Sequence, residues 1–78
     1  MSDVTTTLCG FIARYSKVDA TGLSAGTRFD KLPGWGSLAR LQLLTTTEKH
    51  YSIRLDMRRY MSHQTIEELA EQVRTALG

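Results

Sequence analysis

The chain has 78 residues, 41% of them hydrophobic, and a formal net charge of +2. That suffices for one small domain spanning residues 1–78 with a modest core, and it leaves no room for a deep cleft between lobes. The composition excludes a disordered chain, no apolar run approaches the roughly 20 residues of a membrane span, and the single Cys9 excludes an internal disulfide and a multi-cysteine metal cage.

Cys9 reads as a small, half-buried helix residue. Met1-Ser2-Asp3-Val4 is not a basic segment leading into an apolar one, so no signal peptide is expected and the cytoplasm is the expected location. Charge is unevenly spread. Lys31, Arg40, Lys49, Arg54, Arg58 and Arg59 face only Glu48 and Asp56 in the middle of the chain, whereas Glu67, Glu68 and Glu71 reverse the sign near its end. The middle is expected to present a positive face.

In chain order, Val4, Leu8, Phe11, Ile12 and Tyr15 recur at helical spacing and predict a first helix from about Thr5 to Tyr15. Its β-branched Thr5-Thr6-Thr7 run implies that packing must hold it. From Ser16 to Gly36 glycines, one proline and turn formers break the pattern, while Leu23, Phe29, Leu32 and Trp35 supply apolar anchors. This long loop is expected to cross a helical core, pinned by Phe29 and Leu32, with Trp35 partly buried. The second helix is predicted from Ser37 to about Tyr51, with Leu38, Leu41, Leu44, Glu48 and Tyr51 as its stripe. Ser52 to Asp56 alternates over too short a span for a sheet. Asp56 can cap a short helix from Met57 to Met61. Thr65 and Glu68 form a capping box before a last helix striped by Ile66, Leu69, Val73 and Leu77. The fold class is therefore all-α: a four-helix bundle, three main helices and one short one, with a long loop between the first two. Its expected core is Leu8, Phe11, Ile12, Leu41, Leu44, Ile53, Ile66, Leu69 and Val73.

Residues for catalysis are sparse. His50 and His63 are isolated and read as a solvated helix residue and a loop residue. Gly34-Trp35-Gly36-Ser37-Leu38 is not a G-x-S-x-G elbow and lacks a phosphate-loop lysine. Glu67, Glu68 and Glu71 read as a solvated helix face. Arg54, Arg58 and Arg59 with Tyr51 and Tyr60 form a small basic–aromatic cluster, but no nucleic-acid motif accompanies it. Ser37, after a Pro-Gly turn and at a helix start, reads by itself as an N-cap.

The ordered set of segments from about Val4 to Leu77 resembles the acyl and peptidyl carrier proteins. Thr27-Arg28-Phe29-Asp30-Lys31-Leu32 is similar to the family's T-x-F-x-x-L lead-in, and Pro33-Gly34-Trp35-Gly36-Ser37-Leu38 to the P-G-W-D-S-L form of its attachment motif. Leu41, Leu43, Leu44, Glu48 and Tyr51 fall where the family places second-helix residues. Ile53 to Asp56 and Thr65-Ile66 with Leu69 match the family's segment after that helix.

The resemblance implies a carrier that is not itself an enzyme. It implies 4′-phosphopantetheine, taken from coenzyme A by a phosphopantetheinyl transferase and esterified to Ser37. The arm's thiol would carry an acyl or aminoacyl group as a thioester between loading and accepting enzymes, as in fatty acid, polyketide or nonribosomal peptide biosynthesis. Trp35, Gly36, Leu38, Arg40, Leu41, Arg54 and Arg58 are the expected docking residues, on a monomer. Two features depart from the family. Gly36 stands where an Asp normally precedes the serine, and the usual acidic second helix is here basic. They suggest a specialised pathway for secondary metabolites or an envelope component. The competing expectations are a carrier-like docking or regulatory module left unmodified because of Gly36, and a small basic nucleic-acid-binding domain.

Overall fold

In the computed structural model, which describes residues 3–78, Asp3 starts the first helix by accepting a hydrogen bond from the Thr5 N–H at 3.3 Å. Helix α1 then runs Val4–Tyr15 and buries Leu8, Cys9, Phe11 and Ile12. It packs on both α2 (Ser37–Tyr51) and α4 (Ile66–Leu77), with the short α3 (Met57–Ser62) between those two in sequence. The architecture is all-α, with no strand among the described residues. Leu8, Ile12, Leu43, Ile66, Leu69 and Val73 are fully buried where the long helices meet. At roughly 25 cal/mol per Å² of apolar area, these side chains supply most of the drive to fold so small a chain.

The long loop is stitched to the bundle. Phe29 and Leu32 are buried, as expected of pins. Short 3-10 turns form at Ala20–Gly22 and Phe29–Lys31. A single antiparallel bridge joins Arg28 to Thr65: the Phe29 N–H donates to the Gln64 carbonyl at 2.9 Å, and the Ile66 N–H to the Thr27 carbonyl at 3.1 Å. The loop thus satisfies backbone groups at the start of α4, which a loop lying free on the surface would leave to water.

Helix α2 turns a different face to the core than its leucines suggest. Ala39, Leu43, Leu44 and Thr47 are buried, whereas Leu38 is 70% and Leu41 46% exposed. Leu41 is therefore not a core residue, and the Leu38–Leu41 line is not the buried stripe. Leucines stand all round this helix. The small Ala39 and Thr47, which mark the i, i+4, i+8 line, weigh little in a hydropathy pattern. Ile53 is half-buried at the core's edge.

Asp56 caps α3, accepting from the Arg59 N–H at 2.9 Å. The predicted capping box of α4 is complete, with the Thr65 N–H donating to Glu68 Oε1 at 2.9 Å and the Glu68 N–H to Thr65 Oγ1 at 3.3 Å. The backbone N–H groups of Gln64, the larger cause, and Thr65 both donate to the Glu68 carboxyl and hold it below its ordinary range. Glu67 and Glu71 are not simply solvated. Both converge on Arg74, which also reaches Asp3 at 3.2 Å and Thr5 Oγ1 at 3.1 Å, tying the start of α1 to α4.

Candidate functional site

Ser37 is presented by a turn and a helix start. The Trp35 N–H donates to the Leu32 carbonyl at 3.2 Å, closing a turn with Pro33 and Gly34 at its centre. Gly34 has φ +73°, which fits Pro followed by Gly in a type II turn and disfavours any side chain there. Trp35 is half-buried and stacks on Phe29, ring centroids 5.7 Å apart, so the turn is anchored from below.

Gly36, extended at φ −132°, holds the N-cap position, and Ser37 is the first helical residue. Ser37 is therefore not the N-cap, and its exposed hydroxyl is not committed to capping. No side chain caps α2; the Arg40 N–H makes its first backbone bond, to the Gly36 carbonyl at 3.0 Å. The N–H groups of Ser37, Leu38 and Ala39 consequently open a helix with no acid in its first turn. An anion borne on the Ser37 oxygen meets these donors and the positive end of the helix dipole.

A cavity of about 510 Å³ opens beside Ser37, with Arg28, Trp35, Arg40, Met61 and His63 in its walls. Helix α3 is held against it from behind. The Arg40 guanidinium donates to the carbonyls of Met61 at 3.3 Å and His63 at 3.4 Å, and the buried Tyr60 hydroxyl donates to the Arg40 carbonyl. Burial pushes the Tyr60 phenol far above its ordinary value, so it stays a donor. His63 Nε2 donates to Oε1 of the buried Gln72 at 2.6 Å, and Gln72 Nε2 donates to the Asp56 carbonyl at 3.3 Å. This relay was not legible in the sequence, where His63 and Gln72 stand nine residues apart in different elements. His50 also has more than solvent around it, meeting the Phe11 and Tyr51 rings edge-on.

Of the expected docking residues, Gly36, Leu38 and Leu41 are exposed around Ser37, and Arg54 and Arg58 are exposed further along. Arg40 and Trp35 are half-buried and engaged in the contacts above. Tyr60 is 4% exposed and Tyr51 is half-buried, so of the basic–aromatic cluster only the arginines are fully at the surface, and the Tyr60 ring faces the core instead of a nucleic acid.

The site fits a phosphodiester-linked arm. It offers an exposed nucleophilic oxygen, unpaired helix N–H groups around it and a cavity alongside. The buried Trp35 Nε1 also lacks a partner among the described residues. No helix among those residues is long and apolar enough to cross a membrane. A family model described as the phosphopantetheine attachment site matches residues 6–73. Among curated proteins, none matches the chain.

Proposed function

The chain belongs to the family of phosphopantetheine attachment domains, and from that premise we propose that it is a free-standing, single-domain carrier whose 4′-phosphopantetheine arm is attached to Ser37. Carriers of this family work with a transferase that installs the arm and with biosynthetic enzymes that load and unload it. When attached, the group supplies a thiol on a flexible tether that holds an acyl or aminoacyl cargo as a thioester, raising its effective concentration at each partner.

The observation that carries the assignment to Ser37 is its position: exposed, first in an uncapped helix, after an anchored Pro-Gly turn, at the mouth of the cavity. In the transfer the Ser37 oxygen would displace adenosine 3′,5′-bisphosphate from the pyrophosphate of coenzyme A, forming the phosphodiester to the arm, with the hydroxyl proton passing to a base on the transferase. The N–H groups of α2 stabilise the resulting charge. Trp35 and Phe29 hold the presenting turn still, and the carrier itself leaves the chemistry of the cargo to its partners. The cytoplasm, where coenzyme A is available, suits this role. The basic α2 favours a specialised pathway over primary fatty acid synthesis.

One observation supports a second reading. Gly36 places no carboxylate beside the serine, and an unmodified docking module would share this fold. Added space is not the obstacle, since a Cβ built on Gly36 meets nothing within 4 Å. Intact mass after incubation with coenzyme A and a broad-specificity transferase separates the two. Wild type gains one phosphopantetheinyl group and Ser37→Ala gains none. No gain in wild type with several transferases, together with a gain in Gly36→Asp, selects the unmodified module.

A further inference from the structure

The four ion pairs among the described residues all involve Arg28 or Arg74. Arg40, Lys49, Arg54, Arg58 and Arg59, every cation of the α2–α3 half, therefore have no carboxylate at salt-bridge distance there. The two acids of this half are committed elsewhere. Glu48 accepts from the Leu55 N–H at 2.8 Å, and Asp56 caps α3. Arg58 also occupies the first turn of α3, the end of a helix that disfavours cations. Arg40 is used by the fold through the Met61 and His63 carbonyls; the other four cations enter no ion pair among the described residues.

Exposed apolar side chains lie among them. Ser37 and Leu41, four residues apart, share a face of α2, and Leu38 flanks them at 70% exposure. Met61 lines the cavity at Ser37 and shares a face of α3 with Met57; both are more than 40% exposed, and Arg58 stands three residues before Met61. An apolar line interrupted by the serine and edged with unpaired arginines has the anatomy of a protein interface, an apolar centre within a charged rim.

Resting on the attachment reading, we infer that the enzymes acting on this carrier dock it through a surface that is apolar at its centre and acidic at its rim. That polarity is opposite to the one an acidic carrier helix requires. A protein partner fits better than a nucleic acid because Leu38, Leu41, Met57 and Met61 have no phosphate to meet and Tyr60 is buried. It fits better than a membrane because the serine lies within the patch, where an arm must reach an active site. Rim charges of this kind set partner choice and encounter rate more than affinity.

Two synthetic helical peptides with the same leucine face, one flanked by Glu and one by Lys, test this on the isotope-labelled, unmodified full chain. The Glu peptide is expected to bind about tenfold more tightly than the Lys peptide, to shift amides of residues 37–62 most, and to weaken as salt rises from ~0.05 to ~0.5 M. Arg54→Glu/Arg58→Glu/Arg59→Glu, at three exposed positions, is expected to keep its helicity and reverse the preference. Equal binding of both peptides, a preference that survives the triple variant, or shifts centred on α1 and α4 overturns the inference. So does displacement of the Glu peptide by single-stranded DNA or by phosphatidylglycerol vesicles at matched charge, which would assign the patch to nucleic acid or membrane. Because no arm is needed for binding, failure here leaves the mass measurement on Ser37 standing, and failure there leaves the peptide result standing.

Discussion

Arg74 and Arg58 sit in the same small molecule under opposite circumstances. Arg74, between α1 and α4, gathers Asp3, Glu67 and Glu71 and the Thr5 hydroxyl. Its guanidinium is held well above its ordinary range, the Glu67 contact being the largest cause. Arg58, with Arg54 and Arg59, is exposed and has no carboxylate partner among the described residues. Individual leucines differ as sharply: Leu69 of α4 is fully buried, whereas Leu41 of α2, on the Ser37 face, is half-exposed even though Leu43 of the same helix is fully buried. The α1–α4 side commits its side chains to the fold. The α2–α3 side buries Leu43, Leu44 and Tyr60 but leaves Leu38, Leu41, Met57, Met61, Arg54, Arg58 and Arg59 exposed around Ser37, which is the condition for meeting partners.

The comparison breaks first at the leucines. Leu69→Ala is expected to cost about 2–5 kcal/mol in denaturant unfolding, comparable to the whole stability of a domain this size, whereas Leu41→Ala stays within about 0.5 kcal/mol. Similar losses for the two would erase the distinction between the sides. Tyr60→Phe removes the hydrogen bond from α3 to the Arg40 carbonyl and is expected to cost about 1 kcal/mol by the same assay. Unchanged stability would mean α3 is held by packing alone.

Charge substitutions have smaller effects and differ in sign. Arg74→Ala is expected to lower Tm, and Arg58→Ala to leave it unchanged or raised. Acid titration sharpens this. Glu67 and Glu68 both lie below their ordinary value of 4.5 in the folded chain, Glu67 chiefly through Arg74 and Glu68 through backbone donors. Stability from both is fully present above 4.5 and is lost as pH falls through their lowered values. Arg74→Ala should flatten the Glu67 part of that acid loss and leave the capping-box part. Smallest of all, Gly36→Asp is expected to change stability by only a few tenths of a kcal/mol, upward, since Asp is a better N-cap than Gly. In the same variant the rate of modification should rise, read as intact mass against time.

The sequence already carried the helices with strong end signals. Asp56, and Thr65 with Glu68, are local chemistry, and they start α3 and α4 as read. Phe29 and Leu32 were legible as pins because a polar loop has few other uses for them. The face of α2 was not legible, because four leucines surround it and the decisive Ala39 and Thr47 are small. At the site, Ser37 was legible from its Pro-Gly turn and as the start of the helix, but that Gly36 and not Ser37 takes the cap position was not. Gly and Ser are both acceptable caps, and only the backbone course distinguishes them. The Arg40 and His63–Gln72 contacts behind the cavity were invisible for a different reason. They join residues distant in sequence, and no spacing rule relates them.

The central claim is that Ser37 carries the arm. Trypsin releases residues 32–40 as one peptide, Leu-Pro-Gly-Trp-Gly-Ser-Leu-Ala-Arg, in which Ser37 is the only hydroxyl side chain. Mass spectrometry of that peptide from protein purified from its native host should find it heavier by one phosphopantetheinyl group, with every other peptide unmodified. The added mass on another serine, or an unmodified peptide even after treatment with coenzyme A and several transferases, would contradict the account.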